Sequence, residues 1–340
     1  QLEVKSITAY RQSSLFVVQD LDGTSTAFPS EYSGDDLAAW ERAHQASEEV
    51  QLIGNLDKLT FVSGLYYFHE GIDPGTYTLG LFPAPAQFPL TAGGEALTDA
   101  YAAFGQATYE AADKLNLTVG LRYSYENRSI DQQIAIPSIG VLTPESASAD
   151  FHALTPKFSI DYHWTNAVMA YATISEGFKS GGFSLGTVQP AFQPEILWDY
   201  EAGIKVHADR FSVDMAAFHY DYSNLQVSQP VNGTVITKNA ASSTVNGLEA
   251  EATVQLATGL KIFGTFSYLD ATFDKFNEPD PAAPALGNQN LAGNQLPFAS
   301  KFSSNLAVSY SMPIGDDELM FYGEWNWRDR VYFTEFNSDE

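Results

Sequence analysis

The sequence has no cysteine among its 340 residues, which rules out a disulfide framework and any thiolate metal site. It has no run of eighteen apolar residues, so it encodes no transmembrane helix, and any passage through a bilayer must be made by strands. Basic residues are scarce: 17 Lys and Arg stand against 42 Asp and Glu, a formal net charge of −25. A surface of that sign repels phosphate backbones and argues against a nucleic-acid partner. Catalytic signatures are missing as well, with no G-x-S-x-G elbow, P-loop or G-x-G-x-x-G fingerprint. The six histidines, at 44, 69, 152, 163, 207 and 219, lack H-E-x-x-H or other ligand spacing, so neither a metal site nor a cofactor is expected. Glu249 and Glu251 sit two apart on one segment rather than across a cleft, which does not suit a glycosidase pair. The chain starts at Gln1 without an initiator Met or a signal-like stretch, and it reads as part of a longer precursor.

What the sequence does have is a rhythm. Segments of period two are joined by gaps that run long, short, long, short. The short joints fall at 54–58, 112–114, 163–166, 207–210, 257–259 and 313–318. The long ones fall at 19–44, 71–98, 131–150, 178–196, 228–239 and 274–299. Antiparallel membrane barrels have this asymmetry, with tight periplasmic turns and longer outer loops. Aromatic residues make up 14% of the chain, which suits the belts such barrels carry at the lipid boundary.

The segment LNLTVGLRYSYE at 115–126 puts Leu115, Leu117, Val119, Leu121, Tyr123 and Tyr125 on one face. Asn116, Thr118, Gly120, Arg122, Ser124 and Glu126 fall on the other, a spacing no amphipathic helix can produce. Segments 198–206, 211–217, 247–256 and 305–310 alternate in the same way, and about thirteen strands are expected. Many are long enough for the roughly 9 to 11 residues that a tilted strand needs to cross a bilayer. Two regions are ambiguous by propensity, being rich in Ala, Glu and Leu. Segment 95–114 leads into the clearest strand and is assigned to a strand; 35–50 is assigned to a loop with a short helix. The fold class is therefore all-β, a transmembrane antiparallel barrel with its apolar face outward. Asp199, Glu201, Lys205, Asp214, Glu249 and Glu251 then face the interior. There they are either solvated in a water-filled pore or paired with cations of a domain filling the lumen.

The wording of the chain adds to its rhythm. YATISEGFKSGGFSLG at 171–186 and PEILWDYEAGIKV at 194–206 resemble the barrel of TonB-dependent outer-membrane receptors. So do AAFHYDYSNLQV at 216–227, NAASSTVNGLEAEATVQL at 239–256, LKIFGTFSYLDATF at 260–273 and NLAGNQLPFASKFSSNLAVSY at 290–310. Upstream, VKSITAYR at 4–11, FGQATYE at 104–110 and VGLRYSYE at 119–126 resemble it more loosely.

The resemblance implies a 22-stranded barrel with a plugged lumen. This chain would supply about thirteen strands of it, over 1–340, with the plug, the TonB box, the first strands and the C-terminal strands lying elsewhere. It implies active uptake of a scarce nutrient, a ferric siderophore first of all, powered by TonB with ExbB and ExbD acting on the plug. The setting is the outer membrane of a Gram-negative bacterium, with lipopolysaccharide around the barrel. Alternatives are a receptor of the same family for cobalamin or a carbohydrate, or a passive porin or adhesin-like barrel. Glutamates in the YE-x-G-x-K and G-x-E-x-E segments dock the plug in this family; here they are Glu201 and Glu249, or its neighbour Glu251. Phe178, Lys179 and Phe183 open one long outer gap, and Tyr220, Tyr222 and Gln226 lead into another. These six are candidate ligand contacts, with an aromatic girdle or loop packing as their plainer role.

Overall fold

Alternation as regular as that of 115–126 leaves one satisfactory home for the backbone, a ladder with neighbours on both sides. The computed structural model describes residues 1–20, 36–78, 90–136, 141–187, 189–231, 234–239, 242–280 and 284–338. Its strands are β1 (Leu2–Asp20), β2 (Asp36–Leu56), β3 (Leu59–Thr78), β4 (Leu90–Ala112), β5 (Leu115–Ile136) and β6 (Val141–Thr165). There follow β7 (Val168–Lys179), β8 (Glu195–Ala208), β9 (Phe211–Ser223), β10 (Gln226–Val231), β11 (Thr234–Asn239), β12 (Ser242–Ala257) and β13 (Leu260–Lys275). The last are β14 (Asn277–Pro279), β15 (Asn288–Asn290), β16 (Phe302–Ile314) and β17 (Asp317–Arg328), with a 3₁₀ turn at Pro284–Leu286.

Thirteen of these strands make one sheet, ordered β1 to β9, then β12, β13, β16 and β17, each antiparallel to the next. β10 with β11 and β14 with β15 form small hairpins inside the long connections. The short joints are two-residue turns, several closed by a left-handed residue: Asp57 at φ 35°, Lys114 at 67°, Gly259 at 78° and Gly315 at 65°. Positive φ at these turns matches the twist of the strands they join.

The two faces of the sheet invert the usual rule for water-soluble proteins. On β5, Leu117, Val119 and Leu121 are 41%, 52% and 49% exposed, while Thr118 between them is 9% exposed. Because directly paired residues share a face, the pattern runs across strands in rows, such as Val50, Leu65, Ala103, Tyr123 and Leu154. An apolar surface of this extent needs lipid against it. Among the described residues no helix is long and apolar enough to cross a membrane, which says nothing of crossing by strands.

Several expectations fail: of the long gaps 19–44 and 71–98, residues 19–20 and 36–44 belong to β1 and β2, and 71–78 and 90–98 to β3 and β4, the rest lying outside the described residues. Segment 35–50, assigned to a loop with a short helix, belongs to β2, which pairs along its length with β1 and β3. Segment 131–150, assigned to a long loop, is mostly the upper ends of β5 and β6, paired as far as Ile136 and Val141. Ladder bonds on both sides override the helical propensity of an Ala- and Glu-rich stretch. Buried apolar residues collect on the polar face near the end opposite the short turns. One cluster holds Phe218, Val245 and Ala271. Another holds Phe273, Phe276 and Leu291.

Candidate functional site

The polar face of β7, β8, β9, β12 and β13 carries a wall of charge. The pairing sets Thr173, Glu201 and Phe218 side by side across β7, β8 and β9. It likewise sets Asp214, Glu251 and Thr265 in one row, and Ala216, Glu249 and Ser267 in the next. The Tyr171 hydroxyl donates to Glu201 Oε1 at 2.7 Å, and Lys205 Nζ lies 5.7 Å from the centre of the same ring. Gly203 makes this possible: a Cβ there would run into the Tyr171 ring. Ser175 donates to Asp199 Oδ2 at 3.2 Å. His207 Nε2 meets Asp214 Oδ1 at 2.8 Å.

Glu249 and Glu251 are different. Both are exposed, and among the described residues no hydrogen bond or ion pair engages either carboxylate. With Tyr171, Lys205 and Asp214 they line a depression of about 410 Å³. The three glutamates singled out from the sequence thus share one wall, but only Glu201 has a neighbour holding it. Tyr171, Lys205 and Asp214 complete the wall. Tyr171 was not identified as a site residue from sequence, and its signal was the glycine directly opposite in register.

The six ligand-contact candidates separate. Phe178 shares the apolar face with Ile174 and Ile196, a position suited to a lipid-boundary belt. Lys179 is exposed at the end of β7, and Phe183 is half-buried in the connection that follows. Tyr220 and Tyr222 are on the polar face, so a lipid girdle does not account for them. Tyr220 stacks on Phe218 with centroids 4.5 Å apart, and both tyrosines pack against the Phe218 cluster. Gln226 is a brace: its amide donates to Ser180 O at 2.9 Å and Gln193 O at 3.1 Å, and its own N–H donates to Glu195 Oε2 at 2.8 Å.

Around Gln226 the long connections tie themselves together. Asn239 Nδ2 donates to Gln193 O at 2.7 Å and Asn224 O at 2.9 Å, while its Oδ1 accepts from Gln193 N at 2.7 Å. Gln132, 1% exposed on β5, donates to Thr187 O at 2.9 Å and Glu145 Oε2 at 2.6 Å and accepts from Gly186 N at 2.9 Å. These side-chain amides satisfy backbone groups that have no ladder partner. No group of three or more acidic or histidine side chains among the described residues is arranged to hold a metal ion.

The family model described as "TonB dependent receptor-like, beta-barrel" matches residues 3–339. The chain belongs to the TonB-dependent receptor family. Over 221 residues it is 28% identical to the metal-pseudopaline receptor CntO of Pseudomonas aeruginosa, a match covering 64% of this chain and 29% of that one. The crystal structure of the ferric yersiniabactin uptake receptor FyuA from Yersinia pestis superposes with a TM-score of 0.82 at 18% identity, covering 99% of this chain and 49% of that one. The siderophore receptor PiuA from Acinetobacter baumannii does so with a TM-score of 0.77 at 15% identity, covering 99% and 53%. This TonB-dependent receptor chain thus spans under a third of the curated relative and about half of the solved receptors. Its family is one of outer-membrane transport receptors rather than enzymes, and the polar face of the sheet is the face that lines the barrel lumen.

Proposed function

We propose that the protein carrying this chain is an outer-membrane receptor that imports a scarce metal as its chelate, a ferric siderophore, using energy delivered by TonB with ExbB and ExbD. The observation that carries the reading is the lumen wall of Glu201, Glu249, Glu251 and Asp214, with two of its carboxylates open to a partner. A plug domain bearing arginines would match such a wall, and closely packed carboxylates facing a filled lumen require that match. We assign plug docking to Glu201, Glu249 and Glu251. The names of relatives such as the metal-pseudopaline and yersiniabactin receptors support a metal chelate as cargo.

Ligand contact is assigned to Lys179, Phe183, Tyr220 and Tyr222 at the mouth, with Gln226 shaping it through the connections it braces. Phe178 faces the other way and is the weakest of the six. The test is chelate uptake by cells carrying the full-length protein, with and without dissipation of the proton gradient. Uptake is expected to stop when the gradient is lost; equal uptake would exclude energy coupling and favour a passive barrel. Growth of a deletion strain under iron limitation, compared with limitation for cobalamin or a carbohydrate, identifies the cargo class.

A further inference from the structure

The outer face of β2 to β6 can be read in rows from the short turns upward. Apolar rows end at Glu48, Tyr67, Tyr101, Tyr125 and His152, where Tyr67 and Tyr101 have ring centres 5.1 Å apart. Tyrosines at this level mark the lipid boundary. The same strands continue beyond it. Eight residues further along β3 and β5 lies a row formed by Trp40, Gly75, Gly93, Gln133 and Pro144, each directly opposite the next. At about 3.3 Å per residue this is roughly 26 Å of strand, or ~19 Å above the boundary at a ~45° tilt.

Trp40, Gly93 and Gln133 of this row line a groove of about 660 Å³. Trp40 forms one wall, 41% exposed, with its indole laid over Gly75, where a Cβ would collide with the ring. Gly93 keeps the middle of the floor bare without being forced to by packing, since a Cβ there would meet Pro74 O at 3.6 Å and Gly75 Cα at 3.8 Å, ordinary contacts. Asp73, Glu95 and Asp131 edge the groove on one side and Gln133 lies across from Trp40. Among the described residues none of these four side chains has a hydrogen bond or ion pair.

We infer that this groove binds the sugar portion of the lipopolysaccharide surrounding the barrel. A flat indole takes the C–H face of a pyranose ring, and a glycine floor lets that ring approach the sheet. Ionised carboxylates only accept hydrogen bonds, so three of them favour a neighbour rich in hydroxyl donors. Arg42 stands directly opposite Asp73, but Glu95 and Asp131 leave the edge net negative, which disfavours phosphate, so the site takes an unphosphorylated sugar rather than the lipid headgroup. The source follows from direction: the groove opens on the outer flank, away from the lumen, at the height of the glycan attached to the outer leaflet. A soluble cargo caught here would be on the wrong side of the wall for import. The inference rests on the membrane placement of the barrel and not on the transport reading.

The test titrates the full-length receptor in detergent with delipidated core oligosaccharide, followed by tryptophan fluorescence and saturation-transfer NMR. Saturable binding is expected, weakened at least tenfold both by Trp40→Ala and by Gly93→Leu. The second variant fills the groove while leaving the packing of Trp40 in place. Chelate uptake is expected to be unchanged in both, so failure here is distinct from failure of the transport reading. Binding insensitive to both variants, binding to isolated lipid A alone, or equally tight binding of an unrelated soluble polysaccharide such as dextran would each overturn the inference.

Discussion

The two flanks of this sheet are built to different plans. β1 to β6 run for 19 to 25 residues each, whereas the sheet strands from β7 onward run for 12 to 16. On the tall flank the backbone rises past the lipid boundary still inside the ladder, so its N–H and C=O groups are satisfied by neighbouring strands. On the low flank the strands stop near the mouth, and connections take over, satisfied by Gln226, Asn239, Gln193 and Asn337. The same requirement, that no buried backbone group go unpaired, has been met once by regular pairing and once by individual side chains. Gln132 is where the two meet, since it stands on β5 and holds the connection after β7.

The comparison can be broken most forcefully within the membrane, where both flanks must obey one rule. Leu121→Arg, placed about midway between the tyrosine row and the turn, is expected to destabilise the folded barrel by about 2–4 kcal/mol, as seen in denaturant unfolding from vesicles. Gln133→Arg, on the same face of the same strand but above the boundary, should change stability by no more than about 0.5 kcal/mol. Equal effects would mean that the tall flank does not leave the bilayer. Next in size is Gln132→Leu. It deprives Gly186 N–H and Thr187 C=O of their partner and should cost about 1–3 kcal/mol. Hydrogen exchange should quicken at 184–187 and stay unchanged along β2 and β3.

A smaller effect concerns the knot on the low flank. Gln226 and Asn239 both bond to Gln193 O, so Gln226→Ala and Asn239→Ala should be non-additive by about 0.5 kcal/mol or more. Additive costs would show that the connections are held independently. The smallest effect is at the rim of the tall flank. The Asn127 amide and the Tyr125 hydroxyl, donating at 2.7 Å and 2.8 Å, hold the Asp150 carboxyl below its ordinary range. Its contribution is therefore present at neutral pH and disappears as pH falls through that lowered value. Melting curves of wild type and Asp150→Asn should differ slightly near neutrality and converge in acid; a gap that widens in acid would contradict this.

The contrast between flanks also explains what could be read from sequence. In the lower part of the sheet one face is apolar and the other polar, so period two is plain at 115–126, 198–206 and 247–256, and so is the polar-face placement of Glu201, Glu249 and Glu251. Above the boundary the outer face of β5 and β6 is polar as well, so no apolar outer face marks these strands. There Asp131, Gln133, Ser146 and Ser148 share the outer face, and 131–150 reads as loop although 131–136 and 141–150 are ladder. Tyr171 is legible only once β7 and β8 are in register, because its partner Glu201 is 30 residues away. The braces Gln132 and Asn239 are invisible for the same reason: an amide that binds a distant backbone leaves no pattern in its own neighbourhood.

The tall flank has a mechanical consequence. A wall held by continuous strand pairing cannot open part-way without losing many bonds together, whereas connections pinned by a few amides can be released one at a time. Among the described residues the high side is therefore the stiffer wall. Local opening costs least along the low side, which would swing like a lid on a jug rather than draw shut like a purse.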